Sequence, residues 1–219
     1  MIKQRCEKRW LIQVMLAFFS LYPFTSLYAN NLGRSKVSDS TVNVRIISTT
    51  FNEQELRIDY EVSNHLPVRV WLFDLLASYA PNGQPTINDK NAYVFINGTS
   101  IVVSRRLVEV PDNIEVEEPI VPGVSLLEAG QTANRHIVLP LPLRADAPYA
   151  AKNSSITVTL SAIQEFQLQL GYMVDDQGMQ LHNGRDINGR KYSYPSYSDG
   201  ISGQKLIDVR VTIEELLAK

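Results

Sequence analysis

The chain is almost free of cysteine: among 219 residues there is one, Cys6. Cys6 precedes the apolar run of the N-terminal segment, so it is not the lipid-bearing cysteine that follows such a run in a bacterial lipoprotein. From residue 30 onward no disulfide can form, and the fold must be stabilised by its core alone. Because secreted eukaryotic domains often depend on disulfides, this composition favours a bacterial periplasm or cell surface.

The chain also lacks an excess of basic residues. Lys and Arg number 21 against 23 Asp and Glu, a formal net charge of −2 at pH 7. Four of the basic residues and one acidic residue fall within residues 1–29, so the rest of the chain has 17 basic and 22 acidic residues and a net charge near −5. Proteins that bind nucleic acid usually present a basic patch. The charge balance therefore predicts no nucleic-acid partner.

Motifs for nucleophilic, metal or cofactor chemistry are missing too. After residue 30 there is neither a cysteine nor a Gly-x-Ser-x-Gly nucleophile elbow. The turns at 175–178 and 186–189 contain Asp, Asn and Gly but lack the distal Glu of a calcium loop. The histidines lie singly, without a second His or an acid at ligand spacing: His65, His136 and His182. We therefore predict no metal, no cofactor and no catalytic residue of these classes.

Residues 1–29 have the layout of a secretory signal peptide. Four basic residues precede an apolar run from Trp10 to Phe19, and the segment closes on the small residue Ala29 before the chain turns polar. We predict cleavage after Ala29, export to the periplasm, cell surface or medium, and a flexible lead over residues 30–40. An uncleaved membrane anchor is the alternative, because the run approaches the ~20 residues that cross a bilayer.

Residues 41–219 show the period-two alternation of β-strands. Every second residue from Leu56 to Val62 is apolar, which is the pattern of a half-buried strand. Asn97-Gly98 separates two further apolar stretches and is a strong hairpin signal, because both residues tolerate the positive φ of a type I′ turn. About nine such strands are predicted, with no convincing helix. We predict one all-β domain, an immunoglobulin-like antiparallel β-sandwich, with a jelly roll or small barrel as the alternative.

Prolines and polar stretches predict where the sheets end. Pro140 and Pro142 lie two apart, so in an extended segment their missing N–H groups fall on the same side. An edge strand tolerates that loss and a central strand does not, so we predict an edge strand here. Three segments are predicted to be long connections: 77–91, 110–132 and 175–204.

One stretch resembles a known class of domain. The strand Arg57–Asn64 ends in Val-x-Asn, followed by a turn that contains Pro67 and by another apolar strand. This resembles the start of immunoglobulin-like domains in exported bacterial proteins. Together with the strand around Val44–Ile47, it is also similar to the opening strands of periplasmic pilus chaperones. The second domain of those chaperones is not recognisable in this chain, so their subunit-binding function is not carried over.

Tyrosines give the most suggestive functional pattern. Tyr192, Tyr194 and Tyr197 occur with Ser, Gly and Asn in the segment 185–198. Antibody paratopes have this composition, because tyrosine gives contact area at a low entropic cost and small polar residues adapt to the ligand. The same rings could stack on sugars. The alternative is structural: the rings pack over the open end of the sandwich, or alternate with serine along an edge strand.

Two functions remain open at this level. The first is an exported, non-enzymatic binding or assembly module that contacts an envelope protein or polysaccharide through Tyr192, Tyr194 and Tyr197. The second is an envelope hydrolase assembled from dispersed acids: Asp175, Asp176 and Asp186. A deep pocket with converging carboxylates around residues 175–200 would favour the hydrolase, and a flat tyrosine-rich surface would favour binding.

Overall fold

A computed structural model describes residues 41–79, 83–150, 156–175 and 179–218. The predicted signal peptide, its cleavage site and the lead at 30–40 lie outside the described residues. Within them, no helix is both long and apolar enough to cross a membrane. The chain is built mainly from strands, which confirms the predicted all-β class.

Fourteen strands, two short α-helices and one 3₁₀ turn follow one another along the described chain. In order they are β1 (Val42–Phe51), β2 (Glu55–Asn64), β3 (Val70–Tyr79), β4 (Pro85–Asn88), β5 (Tyr93–Asn97), β6 (Ser100–Arg105), β7 (Gly123–Leu127), β8 (Thr132–Pro140), β9 (Leu143–Arg144), β10 (Thr157–Val158), the 3₁₀ turn (Leu160–Ala162), β11 (Glu165–Val174), β12 (Leu181–Arg185), β13 (Lys191–Pro195), α1 (Tyr197–Gly203), β14 (Lys205–Thr212) and α2 (Ile213–Leu217).

Twelve of the fourteen strands form two open sheets that face each other as a sandwich, and β9 and β10 pair as a separate two-stranded sheet. The smaller sheet has the antiparallel order β1-β2-β8. The larger follows the order β12-β13-β7-β3-β11-β6-β5, with β14 also paired to β11 and β4 to β3. Tyr172 of β11 has both Lys205 of β14 and Leu72 of β3 as partners, so these two strands flank it on opposite sides. One pair, β6 with β11, is parallel.

The main core lies between the two sheets. The apolar positions of β2 are buried at every second residue, as their alternation predicts, and Leu56, Ile58 and Val62 are fully inaccessible. Phe166 and Leu168 of β11 meet them from the larger sheet. Burial of side chains this size contributes about 1.5–3 kcal/mol each. This alternation is the main determinant of the sandwich.

Arg105 is a buried charge within this core. Its side chain is wholly inaccessible. The guanidinium donates to the carbonyls of Asp89, Asn91 and His136 over 2.7–2.9 Å, and to the hydroxyl of Tyr60 over 2.9 Å. These bonds connect the end of β6 to both β2 and β8, and to the segment that follows β4. Arg105 therefore links the two sheets.

The connection between β2 and β3 is a corner between the sheets, because β2 belongs to the smaller sheet and β3 to the larger one. Asn64, fully buried, accepts from the backbone N–H of Leu66 over 3.0 Å. Its amide group donates to the carbonyls of Val68, Leu127 and Glu128 over 2.9–3.2 Å. Asn64 thus satisfies backbone groups from both sides of the corner, which would otherwise be buried without partners.

A second, smaller core covers part of the outer face of the larger sheet. Phe73, Leu107, Val124 and Met173 are its buried members. The helix α1 packs on it through Ile201 and neighbouring side chains. This layer holds the hairpin β12–β13 and α1 against the sheet, and thereby positions Tyr192, Tyr194 and Tyr197.

The sequence predicts a hairpin and an edge strand that the structure contains, whereas the three segments predicted to be connections contain strands and a helix. The predicted hairpin joins β5 to β6, but its turn residues are Gly98 and Thr99; Asn97 ends β5 without a positive φ, so the predicted type I′ turn at Asn97-Gly98 was wrong in detail. The edge strand was predicted correctly, since β8 is an edge strand that ends at Pro140. The segments predicted as connections contain β4, β7, and the run β12–β13–α1. Short strands of two to five residues raise the strand number above the predicted nine, because so few residues give no clear alternation.

Candidate functional site

The hairpin β12–β13 carries two of the three predicted site tyrosines on a strand rather than on a loop. Its turn is organised by Asp186, whose carboxylate accepts from the backbone N–H groups of Asn188 and Arg190 over 2.9 and 2.8 Å. A weaker bond of 3.4 Å comes from the N–H of Ile87. Burial opposes ionisation of Asp186, but these backbone donors lower its pKa nevertheless. The carboxylate therefore stabilises the turn.

Three aromatic rings form a row on one face of this hairpin. His182 and Tyr194 are partners across the two strands, so their side chains lie on the same face, and Tyr192 is two residues from Tyr194. The ring centroids of His182 and Tyr194 are 5.5 Å apart, and so are those of Tyr194 and Tyr192. Interplanar angles of 32° and 33° follow the twist of the strands. We call His182, Tyr192 and Tyr194 the aromatic row.

The ring of Tyr192 lies over glycine. Gly184 is its partner on β12, and a Cβ built at Gly184 would be 2.6–2.8 Å from Cζ, Cε1 and Oη of Tyr192. A Cβ built at Gly123 of β7 would be 3.1 Å from Cδ2 of the same ring. A side chain at Gly184 would collide with the ring. Tyr192 thus crosses the hairpin above Gly184 instead of standing upright.

The opposite face of the hairpin belongs to the second core. Leu181 and Pro195 are partners on that face; Pro195 is buried and Leu181 packs against the second core. Ser193 is the partner of Val124, a buried member of the same core. The aromatic row therefore lies on the side of the larger sheet that faces the main core. Its two tyrosines are half-buried and His182 is exposed.

An ion pair borders the aromatic row on the side of β7. The register of β13 with β7 places Tyr192 next to Ser125. Ser125 donates to Asp74 over 2.7 Å, and Arg135 contacts the same carboxylate over 2.8 Å. Arg135 also donates to the Ser125 hydroxyl over 3.2 Å. Arg135 and Asp74 Oδ2 are thus paired beside the row, whereas Asp74 Oδ1 is buried without a hydrogen-bond partner.

The electrostatic surroundings of Tyr192 are negative. Burial raises the pKa of its hydroxyl, and Tyr194, Asp186 and Glu118 act in the same direction. Glu118 is exposed, in the segment before β7. The hydroxyl of Tyr192 therefore stays protonated at neutral pH and can donate a hydrogen bond.

Tyr197 is separated from the other two tyrosines. It is the first residue of α1, and its ring packs against the second core. Its hydroxyl accepts from the backbone N–H of Val110 over 2.8 Å. The structure thus brings Tyr192 and Tyr194 together, whereas Tyr197 binds the segment that follows β6.

The acids of the alternative hydrolase are not assembled into a site in the described part of the chain. Asp175 forms an ion pair with Arg69, and Asp186 is engaged by the backbone of its own turn. Asp176 lies outside the described residues. Among the residues that the structure describes, no group of three or more His, Cys, Asp or Glu side chains is placed to hold a metal ion. The five best-defined cavities in this part of the chain are lined by other segments, without a residue from 175–200.

Comparison with known proteins gave no match, whether to a protein family, to a curated protein or to a solved structure. The immunoglobulin-like resemblance stays a prediction that rests on the strand Arg57–Asn64.

Two members of the site were not predicted from the sequence. His182 lies ten residues before Tyr192 and joins the row only through the register of the hairpin. Gly184 falls in the segment 175–204, which the sequence predicts to be a connection, but it lies inside β12. An alternating Tyr-x-Tyr next to a Gly-containing polar segment was the available signal, because aromatic residues often pack over glycine in paired strands.

Proposed function

We propose that the chain is an exported, non-enzymatic binding module of the bacterial envelope, and that the aromatic row is its contact surface. One observation carries the proposal: three aromatic side chains lie in a continuous row on an edge hairpin whose other face is fixed by a core. Tyrosine and histidine rings held on strands give contact area with little loss of side-chain entropy on binding. Export is supported by the layout of residues 1–29, and the absence of cysteine after Cys6 favours a bacterial envelope over an animal extracellular space.

The surroundings of the row favour binding over catalysis. A catalytic carboxylate needs a free oxygen near the substrate, whereas Asp175 and Asp186 are each engaged in local structure. The three rings of the row are partly or largely exposed, and Arg135 beside them is paired with Asp74. No specific contact favours the hydrolase.

Co-sedimentation with isolated bacterial envelopes tests the proposal. The full-length gene is expressed in bacteria, the exported protein is purified, and its intact mass checks for loss of residues 1–29. We expect the wild type to sediment with envelopes and the double variant Tyr192→Ala, Tyr194→Ala to bind about tenfold or more weakly, the equivalent of about 1.4 kcal/mol. Ile187→Ala, an exposed apolar residue in the hairpin turn, is the matched control.

Two results would contradict the proposal. The first is a wild type that stays in the supernatant at every envelope concentration. The second is a double variant that sediments like the wild type while its thermal unfolding midpoint is unchanged, since binding would then use another surface.

A further inference from the structure

The position of the Tyr192 ring has a consequence for the kind of ligand. In most strands a tyrosine ring stands away from the sheet, because side chains project roughly perpendicular to it. Here three atoms of the ring lie within 2.6–2.8 Å of where a Cβ would stand on Gly184, and a fourth within 3.1 Å of the same point on Gly123. Since a Cβ points out of the sheet, a ring that covers both points lies along the sheet surface. One face of the ring is then against glycine backbone and the other is directed outward.

A sugar ring can stack on Tyr192 only if one face of the tyrosine ring points outward. A pyranose ring has an apolar side formed by its axial C–H groups, and this side stacks on aromatic faces while the hydroxyl groups at its edge stay hydrated. Tyr194 and His182 continue the surface at ring spacings of 5.5 Å, with similar tilts. The row is therefore long enough for more than one sugar unit, and it lies on an open face that an extended polymer can reach.

The charges around Tyr192 distinguish neutral from anionic glycans as ligands. Glu118 and Asp186 both act on Tyr192, and Arg135 is already paired with Asp74. A ligand with carboxylate or phosphate groups would therefore be repelled at Tyr192 by the carboxylates of Glu118 and Asp186. A neutral glycan meets no such repulsion, and the protonated hydroxyl of Tyr192 can donate to it.

We propose that the ligand of the aromatic row is a neutral, pyranose-based polysaccharide, and that Gly184 is a positioning residue that keeps the Tyr192 ring flat for stacking. The inference rests on the proposed function, because it names the partner class of the same surface. A peptide partner is the competing outcome, since it would use the side chains or the free edge of β12 without needing a flat ring.

Affinity electrophoresis tests the inference. The purified exported protein is run in native gels that contain hydroxyethyl cellulose, galactomannan or dextran as neutral polysaccharides, and alginate as an anionic one. We expect retardation by at least one neutral polysaccharide and none by alginate. Tyr192→Leu should weaken the retardation about tenfold or more, whereas Tyr192→Phe, which keeps the ring, should retain most of it.

The glycine variants separate positioning from general damage. Gly184→Ala should reduce retardation as strongly as Tyr192→Leu, because the added methyl group lifts the ring. Gly203→Ala is the matched control: a Cβ there meets only Met173, at 4.0 Å. Thermal unfolding and far-UV circular dichroism are recorded for each variant. If Gly184→Ala fails to fold, the comparison of Tyr192→Leu with Tyr192→Phe still decides between a stacking ring and a different mode of binding.

Three outcomes would overturn the inference. Equal retardation of wild type and all variants would place glycan binding elsewhere. Stronger retardation by alginate than by the neutral polysaccharides would reject the neutral ligand. Absence of retardation, combined with tyrosine-dependent sedimentation that protease treatment of the envelopes abolishes, would show a protein partner and leave the binding module intact. Absence of both retardation and tyrosine-dependent sedimentation would refute the proposed binding module as well.

Discussion

Replacement of Arg105 by Met tests the buried link between the sheets. Arg105→Met keeps much of the side-chain volume but removes four hydrogen bonds: those to the carbonyls of Asp89, Asn91 and His136, and that to the Tyr60 hydroxyl. A buried polar group left without a partner costs about 1–3 kcal/mol. Four such groups cost at least about 4 kcal/mol. Their partial rehydration and the relief of burying a charge reduce the loss, so we expect a net decrease of about 3–5 kcal/mol in the free energy of unfolding.

Chemical denaturation measures this loss. Equilibrium unfolding in urea, followed by tryptophan fluorescence, gives the free energy of unfolding for the wild type and for Arg105→Met. Arg45→Met is the control, because Arg45 is exposed and its pair with Glu61 lies on the surface; a change within about ±0.5 kcal/mol is expected. A loss below about 1 kcal/mol for Arg105→Met would refute the reasoning, since the four acceptors would then not depend on the guanidinium.

Two further predictions concern Tyr197 and His136. Tyr197→Phe should lower the free energy of unfolding by about 1 kcal/mol, because the N–H of Val110 loses its acceptor, while Tyr194→Phe should stay within about ±0.5 kcal/mol; urea denaturation of both variants decides this, and equal effects would contradict it. Burial, with repulsion from Arg57 and Lys90, lowers the pKa of His136, whose Nε2 is buried without a partner. Below the unfolded value of about 6.5 the unfolded chain binds a proton that the folded chain resists, so stability should fall from about pH 6.5 downward, and less steeply in His136→Asn. Thermal midpoints between pH 7.5 and 5 measure the difference, with His65→Asn as the control; parallel curves for wild type and His136→Asn would reject the assignment.

The sandwich could be predicted from the sequence because its central strands are patterned along their own length. In β2 every second residue is apolar, and each of these positions is buried. The turn that follows Asn97 and the edge strand that ends at Pro140 also depend on local chemistry, namely the positive φ of Gly98 and a missing N–H. Features of this kind need no knowledge of distant parts of the chain.

Pairing between distant segments could not be predicted in the same way. β6 and β11 are parallel and are separated by about 60 residues, and neither carries a signal for the other. Arg105 is the last residue of β6, but its acceptors come from three other segments, so its burial follows only from their assembly. The ion pair of Asp74 with Arg135 likewise joins strands of different sheets.

The aromatic row shows why the candidate site was only half visible in the sequence. Tyr192 and Tyr194 are two apart, so any extended conformation places them on one face, and this much was predicted. The residues that orient Tyr192 are glycines from two separate strands, and glycine weakens the strand signal of both segments. Any side chain at Gly184 would give β12 a clearer strand pattern, but it would occupy the space in which the ring of Tyr192 lies. The residue that conceals the strand in the sequence is therefore the one that the proposed stacking surface requires.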